Sequence, residues 1–257
     1  MTARNVLGQT LDRLGEAIVD GRYPAGLAIP PEPLLGGELG VSRTVVREAV
    51  KSLAAKGLLV TGPKLGTRVL PEAHWNWFDA DVVRWKSRKG LSREFLRDLQ
   101  ELRRVVEPAG ARLAAERATP ADLAEIEAAW DGMRQAITQG GDYVAHDLRF
   151  HQGLLRASHN RMLVQMGQAL GALLRTSFEI STRRADAPAS SLPLHRAVLD
   201  AVRAGKPAAA ERACLVLIAG AQADIEAVLA SPRRRLPSLQ APAARLKARP
   251  KARIERA

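Results

Sequence analysis

The apolar residues in the first quarter of the chain recur mostly at helical spacing. Residues 6–22 carry them on one face, which predicts an amphipathic helix, and prolines then introduce a short helix around 32–38. Ser42 has the residue type of an N-cap and Gly57 that of a C-terminal stop, so a third helix is predicted over 43–56. Short helices in this succession indicate a helix-turn-helix.

The pattern becomes strand-like after the third helix. Residues 58–61 and 67–70 are rich in Val, Leu and Thr, and they flank the glycine-containing segment 62–66. This predicts a two-stranded hairpin with a basic tip, ended by Pro71. Residues 1–71 are therefore interpreted as a winged helix-turn-helix, a DNA-binding fold.

The rest of the chain divides into a linker, a helical domain and a tail. Three of the four tryptophans lie in residues 72–91, which we interpret as a linker that docks on both domains. Residues 92–230 are nearly all helical in pattern, and their breaks predict about six helices and no strand. Residues 231–257 are rich in Pro, Ala and Arg and are predicted to be a disordered basic tail. The predicted fold class is mainly α.

The net charge of +12 at pH 7 favours a polyanionic partner. Nine Arg and Lys against one Glu in residues 231–257 account for +8 of this excess, so charge alone is a weak argument for DNA binding. A single cysteine, Cys214, excludes an internal disulfide and fits a reducing cytosol. No apolar run approaches the roughly 20 residues of a membrane span, so a cytoplasmic protein without a membrane partner is expected.

The third predicted helix begins with side chains suited to DNA. Arg43 and Arg47 lie one helical turn apart on one face, where a guanidinium binds a guanine edge or a phosphate. Thr44 adds a hydroxyl, and the hairpin tip brings Lys64 and Gly66 towards the minor groove or the phosphate backbone. Taken singly, each arginine is more typical of a solvated surface charge. The order of the motifs along the chain therefore has to distinguish a DNA contact from a surface charge.

Four segments carry a family resemblance across the first seventy residues. They are IVDGRYPAG at 18–26, IPPE at 29–32, GVSRTVVREA at 40–49 and LAAKGL at 53–58. In order and spacing they resemble the GntR family of transcription regulators. The resemblance implies DNA contacts at Arg43, Thr44, Arg47 and Gly66. Ser42 and Lys64 complete the predicted DNA-binding set, whereas Pro33 replaces an arginine contact that many family members have.

Asp147 and His151 form the most informative pair in the helical domain. At positions i and i+4 of one helix, a carboxylate oxygen and an imidazole nitrogen project from the same face. A further histidine, His195, follows on a distant helix. The spacing alone leaves two interpretations open, an Asp–His hydrogen bond and a divalent-metal site.

Further segments resemble the all-helical FCD effector domain of the FadR subgroup of the same family. They are ELRRVVEP at 101–108, LAAERAT at 113–119, DLRFH at 147–151, HN at 159–160 and HRAVLDAV at 195–202. The resemblance implies a divalent metal (Zn, Ni or Mn) held by Asp147, His151 and His195. Leu217 replaces the subgroup's remaining histidine ligand, and Cys214 is the nearest polar residue. We therefore expect at most three protein ligands, or direct hydrogen bonds from these residues to an effector.

Arg103 lies on the first predicted helix of this domain among apolar residues, so it needs an anionic partner. The resemblance implies that the partner is the carboxylate of an effector. An internal salt bridge with Glu107 is the alternative. The expected effector-binding set is Arg103, Asp147, His151 and His195.

These features together predict a homodimeric regulator, because helix-turn-helix proteins read two half-sites. The chain is similar to regulators of sugar-acid catabolism, which implies binding to double-stranded operator DNA and release by a small carboxylate effector. The alternative is a metal-dependent enzyme that acts on small acidic metabolites with Asp147, His151 and His195. No nucleophile motif or phosphate loop accompanies those residues, so we do not expect an enzyme.

Overall fold

The computed structural model describes residues 3–62 and 66–230, with side chains from residue 6 onward. Within these residues, three helices and a two-stranded sheet form an N-terminal unit, α4 follows, and seven helices form a C-terminal unit. The elements are α1 Ala3–Val19, α2 Glu32–Leu39, α3 Arg43–Ala55, β1 Leu59–Gly62, β2 Gly66–Val69, α4 Ala80–Lys89, α5 Arg93–Arg117, α6 Pro120–Gln139, α7 Tyr143–Ala157, α8 Arg161–Ala169, α9 Gly171–Ser181, α10 Ala187–Arg203 and α11 Pro207–Ala230. The predicted contact Lys64 and the tail 231–257 lie outside the described residues.

The N-terminal unit has the winged helix-turn-helix arrangement that the sequence predicts. The side chain of Ser42 caps α3 by accepting a hydrogen bond from the backbone N–H of Val45 (3.4 Å). The apolar face of α3 is buried against α1. β1 and β2 pair antiparallel with Leu59 opposite Val69, and segment 27–29 adds backbone hydrogen bonds to β2. The wing is thus anchored to the helices.

The end of α1 and the number of helices after residue 92 differ from the predictions, and other helix ends differ by one to three residues. α1 ends at Val19 rather than at residue 22, because Gly21 adopts a left-handed backbone with φ of 79°. The stretch after residue 92 was predicted to hold about six helices, and seven lie within its described residues, since α8 and α9 meet at Leu170. Leu170 is fully buried at this junction and no proline marks it. The helical pattern of the sequence therefore runs through the break.

Helix α4 lies within the predicted linker and contacts both units. Trp85 is buried against α1, where a Cβ on Gly15 would lie 2.5 Å from its ring, and Trp85 Nε1 donates to Asp12 Oδ1 (3.0 Å). On the other side, Ser87 Oγ lies 3.4 Å from Thr176 Oγ1 of α9. These contacts support a linker that docks on both units, while the domain boundaries at 71 and 91 stay predictions.

Helix α11 corrects one expectation from the sequence. By length and composition alone it is apolar enough to cross a membrane, with 24 residues and an 18-residue window whose mean hydropathy is 1.7. In the structure it packs against α5 and α10, and Cys214, Leu217 and Ile218 are buried in the shared core. One buried stripe of this kind is typical of a helix that packs by one side against a protein core.

Gly57 is needed at the turn between α3 and β1. Its φ is 78°, and a Cβ here would overlap the carbonyl oxygen of His74. We expect Gly57→Ala to lower the free energy of unfolding by more than about 1 kcal/mol, measured by urea denaturation. Gly8→Ala is the control, because Gly8 lies in α1 with open space around it; alanine there should stabilise by about 0.5–1 kcal/mol. Equal effects of the two substitutions would contradict this account.

Candidate functional site

Three of the six predicted DNA-binding residues share one exposed surface of α3. Arg43, Thr44 and Arg47 are all exposed, whereas the opposite face of the helix is buried. The Arg47 side chain is 54% exposed, and its Nε lies 3.4 Å from Glu32 Oε2 at the start of α2. Glu32 was not among the predicted residues, and it restrains the Arg47 guanidinium beside the wing.

An open groove of about 420 Å³ separates α3 from the wing. Arg47 and Lys51 line the helix side, and Thr61, Gly66 and Thr67 line the wing side. Among the described residues, no atom beyond Gly66 and its chain neighbours lies within 4 Å of the place that a Cβ on Gly66 would occupy, so these residues leave room for a nucleic-acid backbone. The groove therefore joins a basic helix face to the two strands of the wing.

In the C-terminal unit, five charged or titratable side chains form a continuous buried chain. In order they are Arg103, Glu107, His151, Asp147 and His195, and none is more than 6% exposed. Arg103 Nε donates to Glu107 Oε1 (2.7 Å), and Glu107 Oε2 lies 2.5 Å from His151 Nδ1. His151 Nε2 and His195 Nε2 lie 3.2 Å and 3.0 Å from one atom, Asp147 Oδ1. Packing of α5, α7 and α10 brings the five together.

The neighbours of each imidazole define which nitrogen faces Asp147. His195 Nδ1 lies 2.9 Å from the carbonyl of Ser191. Because a carbonyl only accepts, Nδ1 carries the hydrogen and Nε2 faces Asp147. The Glu107 carboxylate orients His151 in the same way. Two ring nitrogens and a carboxylate oxygen thus converge, an arrangement that calls for a cation, either a proton or a metal ion, between them.

Basic and acidic side chains alternate along this buried chain, and each shifts the pKa of its neighbours. Burial alone would raise the pKa of Asp147, but His195 and His151 hold it well below its usual range. Burial also opposes ionisation of Glu107, yet the charges of Arg103 and His151 lower its pKa to about 2. Burial would lower the pKa of His151, whereas Glu107 and Asp147 raise it to about 9. Without a metal, a proton on His151 therefore supplies the cation at neutral pH.

The residues fit a divalent metal ion. Asp147, His151 and His195 each offer one ligand atom, and these atoms lie within 4.8 Å of one another. Two imidazole nitrogens and one carboxylate oxygen suit zinc, nickel or manganese. Leu217 is buried in the cavity wall and supplies no ligand. Burial raises the pKa of the Cys214 thiol well above its usual range, so Cys214 stays neutral and outside the group.

The same residues line a small cavity. Its volume of about 20 Å³ accommodates one water molecule or ion, whereas sites for small organic ligands measure roughly 300 Å³ or more. Arg103 lines the cavity, but Glu107 and Gln100 Oε1 (3.5 Å) hold its guanidinium, and Phe178 covers it at 4.8 Å from the ring centroid. The internal salt bridge considered as the alternative is therefore present, and the cavity has to enlarge before Arg103 can bind an effector.

Several side chains of this site were missed by the sequence reasoning. Tyr143 and Ser191 bring their hydroxyl oxygens within 2.7 Å of each other, and Phe178 packs against both Arg103 and His151. These residues come from three different helices, so no spacing in the sequence relates them. The i, i+4 spacing of Arg103 and Glu107, by contrast, was a usable signal.

Residues 8–69 match the family described as bacterial regulatory proteins, gntR family, and residues 98–220 match the FCD domain. The chain is 38% identical over 208 residues to the galactonate operon transcriptional repressor of Escherichia coli strain K12, a match over 80% of this chain and 90% of that protein. The chain belongs to the GntR family. It is a DNA-binding transcription regulator with an FCD domain, and members of this family are regulators rather than enzymes.

Two further likenesses agree with this assignment. This chain is also 30% identical over 234 residues to the HTH-type transcriptional regulator Mce2R of Mycobacterium tuberculosis strain CDC 1551. The match covers 90% of this chain and 96% of that protein. The solved structure of Lar, which controls the expression of the Listeria monocytogenes agr system, matches with a TM-score of 0.63 over 88% of this chain and 98% of that one. Its 18% identity supports the fold alone.

Glu107 is the anionic partner of both Arg103 and His151, so its charge should matter to stability. We expect Glu107→Gln to lower the free energy of unfolding at neutral pH by about 3–5 kcal/mol, because Arg103 is left buried without its partner. The folded pKa of Glu107 is depressed, so its contribution is present above about pH 4.5 and is lost as the pH falls towards 2. Urea unfolding curves of wild type and variant should therefore converge in acid.

Glu101→Gln is the control for this experiment. The Glu101 side chain is 71% exposed on the same helix, so its substitution should change the free energy of unfolding by less than about 0.5 kcal/mol. A Glu107→Gln effect of the same size at acid and neutral pH would contradict the ionised state assigned to Glu107.

Proposed function

We propose that this protein is a homodimeric, metal-dependent repressor of a sugar-acid operon that leaves double-stranded operator DNA when a small carboxylate binds. The observation that carries the proposal is the convergence of Asp147, His151 and His195, with Arg103, on one cavity behind a DNA-binding unit. Similarity to the galactonate operon repressor supports the sugar-acid class. Its place of action would be the cytoplasm.

The N-terminal half of α3 is proposed to enter the major groove. Arg43 and Arg47 are exposed one helical turn apart, so both guanidinium groups can reach base edges or phosphates in one groove. The wing would then lie along the neighbouring phosphate backbone. The proposed contact residues are Ser42, Arg43, Thr44, Arg47, Lys64 and Gly66.

Arg47→Ala is expected to weaken operator binding by about 10-fold to 100-fold, because it removes a guanidinium contact in the groove. Fluorescence anisotropy would measure this at fixed salt, with a duplex that the wild-type protein selects from a random pool. The thermal unfolding midpoint should not change, since Arg47 is exposed. Arg134→Ala, an arginine on α6 with a similarly exposed side chain (52%), should retain full affinity. Normal operator binding by Arg47→Ala would contradict the proposed placement of α3 in the major groove.

A metal ion would be held by Asp147, His151 and His195, and when bound it would supply a Lewis acid for oxygen atoms of a hydroxy acid. The protein orients the two imidazoles through Glu107 and the Ser191 carbonyl. Hydrogen bonds of this kind behind metal-bound histidines strengthen metal binding. The ring nitrogens that face Asp147 are thereby set in place before a metal or an effector arrives.

Arg103 is proposed to receive the carboxylate of the effector. Its Nε is occupied by Glu107, but the guanidinium has further N–H groups for a second carboxylate. Because the cavity measures only about 20 Å³, an effector has to displace part of its wall. Phe178 covers the guanidinium and packs against His151, so enlargement here moves α9.

Helix α9 connects the cavity to the DNA-binding unit. Thr176 lies on α9 two residues before Phe178 and meets Ser87 of α4 (3.4 Å). α4 in turn holds α1 through Trp85 and its hydrogen bond to Asp12. A shift of α9 would therefore reposition the DNA-binding unit. The effector can weaken DNA binding at most by the factor by which its own affinity differs between the DNA-binding arrangement and the shifted one.

Addition of D-galactonate with zinc should release operator DNA from the wild-type protein, and the acid should be recovered unchanged. His195→Ala should bind the operator normally, lose zinc in metal analysis and no longer respond to the acid. His159→Ala, a half-exposed histidine paired with Asp122, should keep zinc and the response. Consumption of the acid would favour the enzyme alternative, and a normal response from His195→Ala would exclude the metal from the effector site.

The dimer contact is proposed to lie on α5 and α8. Val105 and Met162 are 72% and 71% exposed, the highest values among the large apolar side chains described, and α5 and α8 both pack on Leu155 of α7. Exposed apolar surface of this kind marks association sites. Two antiparallel α5 helices crossing near Val105 would bring Asp98 close to Arg112 of the partner subunit, and both side chains are exposed.

Val105→Asp should shift the protein from dimer to monomer in sedimentation velocity, because a charge would be buried at the contact without a partner. Val216→Asp is the control, since Val216 is 55% exposed on α11, which is not part of the proposed contact, and it should remain dimeric. Operator affinity should fall only in the first variant. A monomeric wild-type protein would rule out the homodimer, and a dimeric Val105→Asp would move the contact elsewhere.

A further inference from the structure

The cavity wall contains one carboxylate outside the proposed metal site. Besides Arg103 and the three proposed ligands, the polar lining consists of four hydroxyl side chains and Asp224. The hydroxyl side chains are Tyr143, Ser181, Thr182 and Ser191. The Asp224 side chain is 12% exposed, and burial raises its pKa while Arg184 opposes that rise. An acid group in such a lining affects which ligands fit.

Asp224 lies at a different part of the cavity from the metal site. Leu217, Ala221 and Asp224 form one stripe of α11 facing the cavity, and seven residues of helix span about 10 Å. The thiol of Cys214, one turn before Leu217, lies within electrostatic reach of Glu107 and Arg103. Asp224 instead responds to Arg184 and Asp186. A ligand held at Arg103 therefore extends its far end towards Asp224.

The charge around Asp224 is negative even with its ion pair. Arg184 Nη1 lies 3.1 Å from Asp224 Oδ1, but the same guanidinium donates two hydrogen bonds to Asp186, at 2.9 Å and 2.8 Å. One cation is thus shared by two carboxylates. The neighbouring Arg183 lines a separate pocket on the α4 side of α9. Among the described residues, the charged groups around Asp224 therefore sum to a net negative charge.

We propose that Asp224 makes the effector site prefer a polyhydroxylated monocarboxylate to a dicarboxylate of the same chain length. Hydroxyl groups at the far end donate to the Asp224 carboxylate, and charge-assisted hydrogen bonds of this kind are strong. A second carboxylate at that end would instead be desolvated beside a like charge, which is unfavourable. This inference rests on the proposed effector site and adds the residue that selects among its ligands.

Isothermal titration calorimetry with D-galactonate and galactarate tests the proposal, because the two acids differ only at the far end of the same carbon chain. Wild type should bind galactonate at least about tenfold tighter. Asp224→Asn should weaken galactonate binding and strengthen galactarate binding, so that the ratio of the two affinities falls by about tenfold. Glu226→Gln removes one charge from the same helix without lining the cavity, and it should leave the ratio unchanged.

Arg184→Gln provides a second variant with the opposite expected result. It removes the counter-charge from Asp224 at an exposed position, so galactarate should be excluded more strongly. If galactonate binds and neither Asp224→Asn nor Arg184→Gln changes the ratio, Asp224 is not the selective residue. If Asp224→Asn fails to fold, Arg184→Gln decides alone. If neither acid binds to wild type, the proposed sugar-acid effector is wrong and this inference falls with it.

Discussion

The structure of the effector domain depends on one buried carboxylate oxygen, Asp147 Oδ1. Two imidazole nitrogens approach it from α7 and α10, and they can do so only with positive charge between the three atoms. Glu107 and Arg103 on α5 extend the alternation of charge behind His151. Each member compensates the next, and loss of one leaves an unpaired charge in the core. Any ligand that changes the charge here acts on three helices at once.

The closed state of the cavity explains how such a site can regulate a distant surface. A volume of about 20 Å³ has no room for an organic acid, so binding selects a packing of the helices other than the one described. Only a ligand that binds the two packings with different affinity can shift the balance between them. The wall that covers Arg103 is Phe178 of α9, and α9 also contacts α4. In the proposed mechanism, the ligand-induced change would therefore start at the helix that contacts the linker helix α4.

Local chemistry made much of the fold and part of the site predictable. Ser42 was recognised as a cap, and its side chain accepts the expected hydrogen bond at the start of α3. Asp147 and His151 share a helix face at i and i+4, so their approach followed from the spacing alone. The break at Leu170 was not predictable, because a buried leucine at a helix junction resembles any other core position in the sequence.

By itself, the sequence determined the helices, the wing and the side chains that share one helix face, because caps, glycine stops and helical spacing act over a few residues. It also determined the family, through motifs that keep their order along the chain. Only the tertiary structure decided that Glu107 meets His151, that Phe178 covers Arg103 and that Glu32 restrains Arg47. The volume of the cavity was likewise decided only by the tertiary structure. These features depend on the distances and angles at which separate elements pack, and no local pattern in the chain encodes them.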